Sequence, residues 1–272
     1  MLLHGNGVTA QDWKSSGLIH ALVGTHRVIA FDRPGFGYST RPRGQVWTAA
    51  AQATLLHEAL QRLNIGATVI VGHSWGTLVA LALALEYPVH YKGLLLISGY
   101  FFPTFRVDAA LFGTPALPII GDVLRYTVLP PLGAALAPVV SAQLFAPADV
   151  DPAIKPELAM AIRPWQIRAN AEDAALMVPS AASMEHRYKE LAVPVAIVAG
   201  ADDKVVSPAQ SKRLAEEIPA SKLLIIHGVG HMVHYTAKET IAETIAVMAS
   251  AQPPASTNQF APNQSSEIAG LL

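Results

Sequence analysis

The chain has 272 residues, carries a formal net charge of −1 and contains no cysteine. This length suffices for one large domain, or for a core with an inserted lid. The near-neutral charge argues against nucleic acid or an anionic membrane as the main partner, and the lack of cysteine excludes disulfides, thiolate metal sites and cysteine nucleophiles.

Short apolar strands alternate with helical segments along most of the chain, after a stub of a strand at residues 1–3. Continuously apolar strands separated by helices predict an α/β fold, with a mostly parallel sheet covered by helices on both faces. The predicted strands are residues 27–31, 67–71, 93–97, 195–199 and 222–226, and the predicted helices are residues 16–23, 48–63, 77–87, 208–218 and 236–249.

The alternation stops between residues 99 and 191, where the sequence is helical and rich in proline, with turn signals at residues 113–115 and 130–131. This segment follows one strand and precedes the next. We therefore predict that residues 1–98 and 192–250 form the core, and that residues 99–191 form a helical cap above the carboxyl edge of the sheet. The remaining residues, 251–272, are rich in Pro, Ser, Asn and Gln and are predicted to be disordered.

Residues 126–148 carry no charge, which is typical of a membrane-spanning segment. However, the prolines at positions 130, 131, 138 and 147 would interrupt a spanning helix repeatedly. We therefore predict an apolar lid and no stable membrane span. Because no signal peptide fits before the first strand, we also expect a cytoplasmic location for the chain as it stands.

Residues 72–76 are Gly-His-Ser-Trp-Gly, between a predicted strand and a predicted helix. This context predicts a sharp turn with Ser74 at its apex, because a Cβ at either glycine would obstruct the approach of strand and helix. The hydroxyl would lie near a helix N-terminus as a nucleophile, and the backbone N–H of Trp75 would face a developing oxyanion. An ordinary turn serine is the alternative.

Four further segments occur in order around this turn. They are His4-Gly5-Asn6-Gly7, the sequence DRPGFGYS at residues 32–39, GADD at residues 200–203 and GVGH at residues 228–231. Together with the serine turn they resemble the α/β-hydrolases that carry an inserted helical cap, over residues 2–249.

This resemblance implies a catalytic triad of Ser74, His231 and Asp203, in the order Ser, Asp, His that the family uses. Asp202 is the rival acid, but neighbouring side chains of an extended loop point apart, so only one of the two can face His231. The backbone N–H groups of Asn6 and Trp75 would form the oxyanion hole. We interpret His4 and His73 as hydrogen-bonding residues and His234 as a helix-start or pocket residue. No cofactor and no metal are predicted, because no histidine pairs with a carboxylate at metal-ligand spacing.

The beginning of the chain departs from the family pattern, because relatives carry two more strands and a full third strand before the His-Gly turn. In the family that third strand lies between strands four and five. A stub there would leave backbone groups of both neighbours unpaired. We therefore expect that the chain is truncated or begins at a mistaken start codon.

The predicted function is a serine hydrolase that cleaves a carboxylic ester, or a related acyl bond, of a small apolar substrate through an acyl-enzyme. A serine at the turn argues against haloalkane dehalogenases and epoxide hydrolases, which the chain resembles but which use an aspartate there. Hydrolysis of a lactone or of a carbon–carbon bond, and a non-catalytic binding protein of the same fold, remain alternatives. The apolar pocket is suggested by Phe101, Phe102, Phe105, Leu111, Phe112, Tyr126 and Trp165, although these side chains could equally pack the cap on the sheet.

Overall fold

Six parallel strands form one sheet in the computed structural model, which describes residues 1–104 and 114–250. The order of the strands across the sheet is β2-β1-β3-β4-β5-β6, and the predicted α/β class is confirmed. The strands are β1 (Leu2–Leu3), β2 (Ala30–Phe31), β3 (Thr68–His73), β4 (Tyr91–Ile97), β5 (Val195–Gly200) and β6 (Lys222–Ile226).

Helices connect the strands and also fill the chain between β4 and β5. The α-helices of the described residues are α1 (Asp12–Ser15), α2 (Leu18–Leu22), α3 (Ala49–Arg62), α4 (Gly76–Glu86), α5 (Ile120–Tyr126), α6 (Leu129–Phe145), α7 (Lys155–Ala161), α8 (Pro164–Met184), α9 (Pro208–Glu217), α10 (Val233–Thr236) and α11 (Lys238–Ser250). Short 3₁₀ helices cover Pro88–His90, Thr114–Ala116, Pro152–Ile154 and Glu185–Glu190. We call residues 114–190 the helical insertion. The tail predicted to be disordered, residues 251–272, and the residues Phe105, Leu111 and Phe112 lie outside the described part of the chain.

Side chains alternate between the two faces of the sheet, which produces two separate hydrophobic layers. Leu94 and Leu96 of β4 pack with α3, α4 and α9 on one face, and Leu95 and Ile97 pack with α2 and α11 on the other. Residues 76–85 of α4 are all buried. The predicted strand at residues 67–71, the serine turn and the predicted helix at residues 77–87 are thus found as β3, a turn and α4 of a protein core.

The two-residue strand β1 lies between β2 and β3, where the family pattern places strand three. Leu2 pairs with Ala30 on one side and with Val71 on the other. This position directs the turn after β1 towards the serine turn, which follows β3.

The serine turn depends on two glycines. A Cβ at Gly72 would lie 2.8 Å from the carbonyl oxygen of Gly76. A Cβ at Gly76 would lie 2.4 Å from the carbonyl oxygen of Leu3 and 2.6 Å from that of His4. Since real Cβ atoms do not approach backbone oxygens so closely, only glycine permits β1, β3 and α4 to meet here.

One prediction about the insertion was wrong. Pro130 and Pro131 do not form a turn, and Pro138 does not end the helix, because all three lie within α6. The first two occupy the first helical turn, where the missing N–H has no intrahelical partner, and Pro138 removes one internal bond. No single helix of the described residues is long and apolar enough to cross a membrane, whereas α5 and α6 together are, by length and composition, with a bend of 64° at their break.

A buried carboxylate attaches the helical insertion to the core. Glu157 of α7 is fully buried, and its Oε2 accepts a hydrogen bond of 2.7 Å from the backbone N–H of Thr9. The other oxygen, Oε1, has no hydrogen-bond partner among the described residues. Burial, with a smaller contribution from the nearby carboxylates Asp12 and Asp32, raises the pKa of Glu157 from 4.5 to about 7 against the lowering effect of the Thr9 N–H.

The Gly76→Ala variant is expected to lose roughly 3 kcal/mol of unfolding free energy, or to fail to fold, because the added methyl meets two backbone oxygens. Gly44→Ala is the matched control, since a Cβ at Gly44 would meet nothing within 4 Å. Urea denaturation of the three proteins measures the difference. A Gly76→Ala protein as stable as the control would contradict this account of the turn.

The pH dependence of stability provides a second test. Because the folded-state pKa of Glu157 is raised, its contribution is fully present below about pH 4.5 and is lost as the pH rises towards 7. Glu157→Gln should therefore flatten the fall in unfolding free energy between pH 5 and pH 8. The exposed Glu243→Gln on α11 is the control and should leave the slope unchanged. Parallel slopes for Glu157→Gln and the wild type would refute this assignment.

Candidate active site

Ser74 lies at the apex of the turn between β3 and α4, with its backbone in the left-handed region at φ +52°. Its N–H donates to the carbonyl of Ile97 at 2.9 Å, and its carbonyl accepts from the N–H and the hydroxyl of Thr77 at 3.0 and 2.6 Å. These three hydrogen bonds hold a conformation that a non-glycine residue rarely adopts. Within the described residues, the Ser74 hydroxyl itself makes no hydrogen bond.

His231 and Asp203 form a buried pair at the ends of neighbouring loops. Nδ1 of His231 lies 2.7 Å from Oδ2 of Asp203, and the two residues are 3% and 7% exposed. The other carboxylate oxygen accepts the N–H groups of Val205 and Val206 at 2.8 and 2.9 Å. A carboxylate held in this way fixes the tautomer in which Nδ1 carries the proton, so that Nε2 is available as a base.

Asp202, the rival acid, faces the other way. Its side chain is exposed, and Oδ2 accepts the N–H of Gly228 at 2.9 Å. The structure therefore brings Asp203 and not Asp202 against His231. The expected alternation of neighbouring side chains along the loop accounts for the difference.

His73 connects the serine turn to the histidine turn. Its Nε2 donates to the carbonyl of His231 at 3.1 Å, and the two rings lie 4.9 Å apart. Burial, reinforced by the neighbouring His234 and His231, holds the pKa of His73 well below 6.5, so the ring stays neutral. This hydrogen bond places the backbone of His231 beside the residue that precedes Ser74.

The predicted oxyanion donors come from two different loops. The backbone N–H groups of Asn6 and Trp75 have no acceptor within the described part of the chain. A Cβ at Gly5 would lie 3.0 Å from the Cβ of Ser74, so the turn after β1 lies directly against the serine turn. Asn170 of α8 holds this turn from outside, because it accepts the Gly7 N–H at 2.8 Å and the Asn6 side-chain amide at 3.1 Å.

A buried arginine orients the same turn from inside. Arg33 is fully buried, and its guanidinium donates to the carbonyls of His4 and Gly5 at 2.9 and 3.0 Å. In a trans peptide the C=O and the following N–H point in opposite directions. Since the Gly5 carbonyl points at Arg33, the Asn6 N–H points away from it.

The charge of Arg33 is balanced by the helical insertion. Asp173 of α8 accepts from Arg33 at 2.5 Å and from Arg41 at 3.0 Å, and its backbone carbonyl accepts the indole N–H of Trp75 at 2.8 Å. Burial lowers the pKa of Arg33, and Asp173 raises it again. His4 stays neutral because burial and Arg33 lower its pKa well below 6.5, so its Nε2 can accept the Arg33 backbone N–H at 3.0 Å. As predicted, His4 holds this loop by hydrogen bonds.

A second buried histidine–carboxylate pair lies behind His73. Nε2 of His234 is 2.7 Å from Oδ2 of Asp12, and the Tyr235 hydroxyl donates to Oδ1 at 2.8 Å. Asp12, His73 and His234 each offer a possible metal-ligating atom, and these atoms lie within 4.8 Å of one another. Sequence spacing does not indicate this cluster, because Asp12 is 222 residues from His234. Both oxygens of Asp12 accept hydrogen bonds from His234 and Tyr235, whereas Nδ1 of His73 and Nδ1 of His234 have no hydrogen-bond partner among the described residues.

An apolar cavity of about 400 Å³ reaches Asn6 from the helical insertion. None of the described residues that line it is charged, and Asn6 and Asn170 are the polar ones among them. The remaining lining residues are small or aliphatic: Pro115, Leu129, Leu132, Gly133, Leu136, Ala137, Val140, Leu158, Ala161, Ile162, Ile167, Ala171 and Ala174. Of the aromatic residues suggested from the sequence, the four in the described part of the chain do not line it, since Phe101 and Phe102 are buried elsewhere and Tyr126 and Trp165 are exposed.

Sequence patterns did not indicate Arg33, Asp173, Asn170 or Asp12 as part of the site. Arg33 lies within the DRPGFGYS segment, which indicates a turn but not the partner of the arginine. The sequence offered one signal for Arg33, which is its position next to a predicted buried strand. A buried charge requires a partner of opposite charge or hydrogen-bond acceptors.

Comparisons with known proteins agree with this architecture. The family model described as alpha/beta hydrolase fold matches residues 1–238. A curated relative from Escherichia coli O1:K1, named "Putative carbamate hydrolase RutD", is 28% identical over 245 residues, which cover 88% of this chain and 86% of the relative.

Solved structures share the fold at lower identity. A thermophilic esterase from Thermogutta terrifontis is 23% identical with a TM-score of 0.73, over 91% of this chain and 88% of that one. The enol-lactonase from Burkholderia xenovorans LB400 is 20% identical with a TM-score of 0.73, over 91% of this chain and 89% of that one.

Proposed function

This chain belongs to the alpha/beta hydrolase fold family, and we propose that it is a serine hydrolase that cleaves carboxylic esters of small apolar substrates through an acyl-enzyme. The observation that carries this proposal is the buried His231–Asp203 pair, which His73 ties to the serine turn. Residues 1–98 and 192–250 would be the hydrolase core, and residues 99–191 would be a cap over the site.

In this mechanism the Ser74 oxygen attacks the ester carbonyl carbon while its proton passes to Nε2 of His231. The carbonyl oxygen becomes an oxyanion, which accepts hydrogen bonds from the N–H groups of Asn6 and Trp75. The tetrahedral adduct then collapses, and the alcohol leaves with the proton from His231. A water molecule repeats the sequence on the acyl-enzyme, which releases the acid and restores the serine.

Asp203 would orient the imidazole and stabilise its charged form during both steps. The fixed Gly5 carbonyl supports Asn6 as an oxyanion donor, since Arg33 turns the Asn6 N–H away from itself. Removing one such donor typically costs about 3–4 kcal/mol of transition-state stabilisation.

The cavity supports an apolar group on the substrate. Its walls are aliphatic, and its polar residues are at the end that contains Asn6. The arginines of the insertion are engaged elsewhere. Arg125 pairs with Asp122 and the carbonyl of Pro115, and Arg168 pairs with Glu172. Arg163 lies over the ring of Trp165, and Arg187 pairs with Glu86 and Glu190. A substrate carboxylate or phosphate would therefore find no cation among the described lining residues. We infer a neutral ester with an alkyl or aryl group as the substrate class.

Carbamate hydrolysis is a second candidate, favoured by the name of the E. coli relative. The same serine, base and oxyanion donors would cleave a carbamate. The two candidates are separated by comparing p-nitrophenyl esters of increasing acyl length with an unsubstituted alkyl carbamate. Higher kcat/KM for butyrate or hexanoate than for the carbamate supports the ester assignment, and the reverse order supports the carbamate.

Ser74→Ala should lower kcat on p-nitrophenyl butyrate by at least about 10³-fold and abolish covalent labelling by a fluorophosphonate. Ser39→Ala is the control, because its half-buried hydroxyl donates to the backbone of Asp32, away from the proposed chemistry. Retained turnover in a folded Ser74→Ala protein would refute the nucleophile. If the wild-type protein neither hydrolyses nor reacts with the probe while folded, a binding function of the same fold is supported instead.

The adjacent aspartates allow a matched comparison. Asp203→Asn should lower kcat by roughly 10³- to 10⁴-fold, because the imidazole loses the carboxylate that fixes its tautomer. Asp202→Asn should change kcat less than about threefold, since its carboxylate caps only the N–H of Gly228. Steady-state kinetics on both variants decide the assignment, and equal losses would contradict it.

A further inference from the structure

Helix α6 is apolar on every side, yet most of it is exposed. It contains no charged residue, and Ser141 and Gln143 are its polar side chains. Ser141 and Phe145 are its buried residues. We call the exposed apolar residues of α5, α6 and the adjoining segments the apolar face: Leu117 51%, Ile119 78%, Ile120 61%, Val123 60%, Tyr126 70%, Val128 54%, Leu132 47%, Leu136 47%, Val139 67% and Val140 48%.

A helix that is hydrophobic all round normally lies in a protein core or in a membrane. Monomeric proteins rarely leave so many large apolar side chains exposed together without a function. The pair α5–α6 has the length and composition of a membrane segment, but it is bent by 64°. This shape suits a helix pair that lies flat in an interface better than one that crosses a bilayer.

The apolar face and the cavity share residues. Leu132, Leu136 and Val140 are each about half exposed, and they also line the cavity that reaches Asn6. Helix α6 is thus the wall between the outside of the molecule and the proposed substrate site. Whatever covers this helix adjoins the mouth of the cavity.

We propose that the apolar face docks on the surface of an uncharged lipid layer, with α5 and α6 lying in the interface. A second copy of the chain on this face would close the mouth of the cavity, whereas a lipid layer leaves it supplied with apolar molecules. The 22 residues after Ser250 are rich in Pro, Ser, Asn and Gln, and their large apolar side chains are Phe260, Ile268, Leu271 and Leu272, against the ten of the apolar face.

The charges indicate which kind of lipid. The whole chain has a net charge of −1 and α6 carries no charge. Asp122 and Arg125 of α5 pair with each other, and Asp122 also pairs with Arg43, so anionic lipid gains no large electrostatic advantage. Tyr126, 70% exposed at the end of α5, is of the residue type that favours the membrane interface. Delivery of substrate from the lipid rests on the proposed function, but docking itself does not.

The lack of cysteine permits a direct test. Val139→Cys and Val89→Cys are each labelled with an environment-sensitive NBD fluorophore in the Ser74→Ala background, so that docking is measured without catalysis. Val89 is 85% exposed and precedes β4, at the edge of the sheet opposite the helical insertion. On phosphatidylcholine vesicles, the label at position 139 should shift to the blue and brighten, and the label at position 89 should not change.

Charge substitutions on the same face should abolish this docking. The double variant Val123→Glu and Val139→Glu, which does not touch the cavity lining, should reduce vesicle binding roughly tenfold or more. Val89→Glu with Val247→Glu is the matched control, because both valines are well exposed elsewhere, and it should bind as the wild type does. Both double variants should hydrolyse soluble p-nitrophenyl butyrate at the wild-type rate.

Several outcomes would overturn the proposal. One is an equal fluorescence change of the labels at positions 139 and 89 on phosphatidylcholine vesicles. Another is vesicle binding that requires the anionic lipid phosphatidylglycerol and disappears when salt is added. Dimerisation in solution that Val139→Glu abolishes would assign the face to a second copy. Vesicle binding by a protein that hydrolyses no ester would leave the docking intact and refute the proposed function alone.

Discussion

The buried guanidinium of Arg33 is the constraint on which the site depends. A buried charge is tolerated only when its hydrogen-bonding groups are satisfied, and here the partners come from four separate parts of the chain, of which Gln52 of α3 accepts at 3.2 Å. The carbonyls of His4 and Gly5 accept from one side, Asp173 of the insertion balances the charge, and Trp75 stacks 4.6 Å from the guanidinium carbon. One side chain therefore joins the turn after β1, the residue after Ser74 and the helical insertion, and none of the three can move without leaving part of this charge unpaired.

The insertion also takes part in holding the proposed base. The backbone N–H of His231 donates to the carbonyl of Leu144 in α6 at 3.0 Å, while its carbonyl accepts from His73. A Cβ at Gly230 would lie 2.2 Å from the carbonyl oxygen of Ala146, so the end of α6 packs directly on the histidine turn. The imidazole is thus positioned by backbone contacts from the core and from the insertion. The insertion is therefore part of the structural support of the site.

Patterns with a local cause were predictable from the sequence. The strands of the sheet follow from short apolar runs, and the serine turn follows from two glycines that admit no Cβ. The contacts of the insertion were not predictable, because Arg33 and Asp173 are 140 residues apart and any of several acidic residues could have been the partner. The prolines of α6 were misinterpreted for a related reason. Proline by itself indicates a turn. In the first turn of a helix, however, it is tolerated, because the N–H that it lacks would have no intrahelical acceptor there.

Helix α6 is held to the protein mainly at one end. Ser141 and Phe145, its buried residues, lie in the carboxyl-terminal third, and the contact with His231 is there as well. The preceding turns contribute one side of the cavity wall and otherwise face outwards. Helical stability in proteins comes mostly from burying an apolar face, and these turns bury little within this chain. A lipid surface would supply the missing burial along the part of the helix where the protein provides least, and would leave the end that positions His231 in contact with the core.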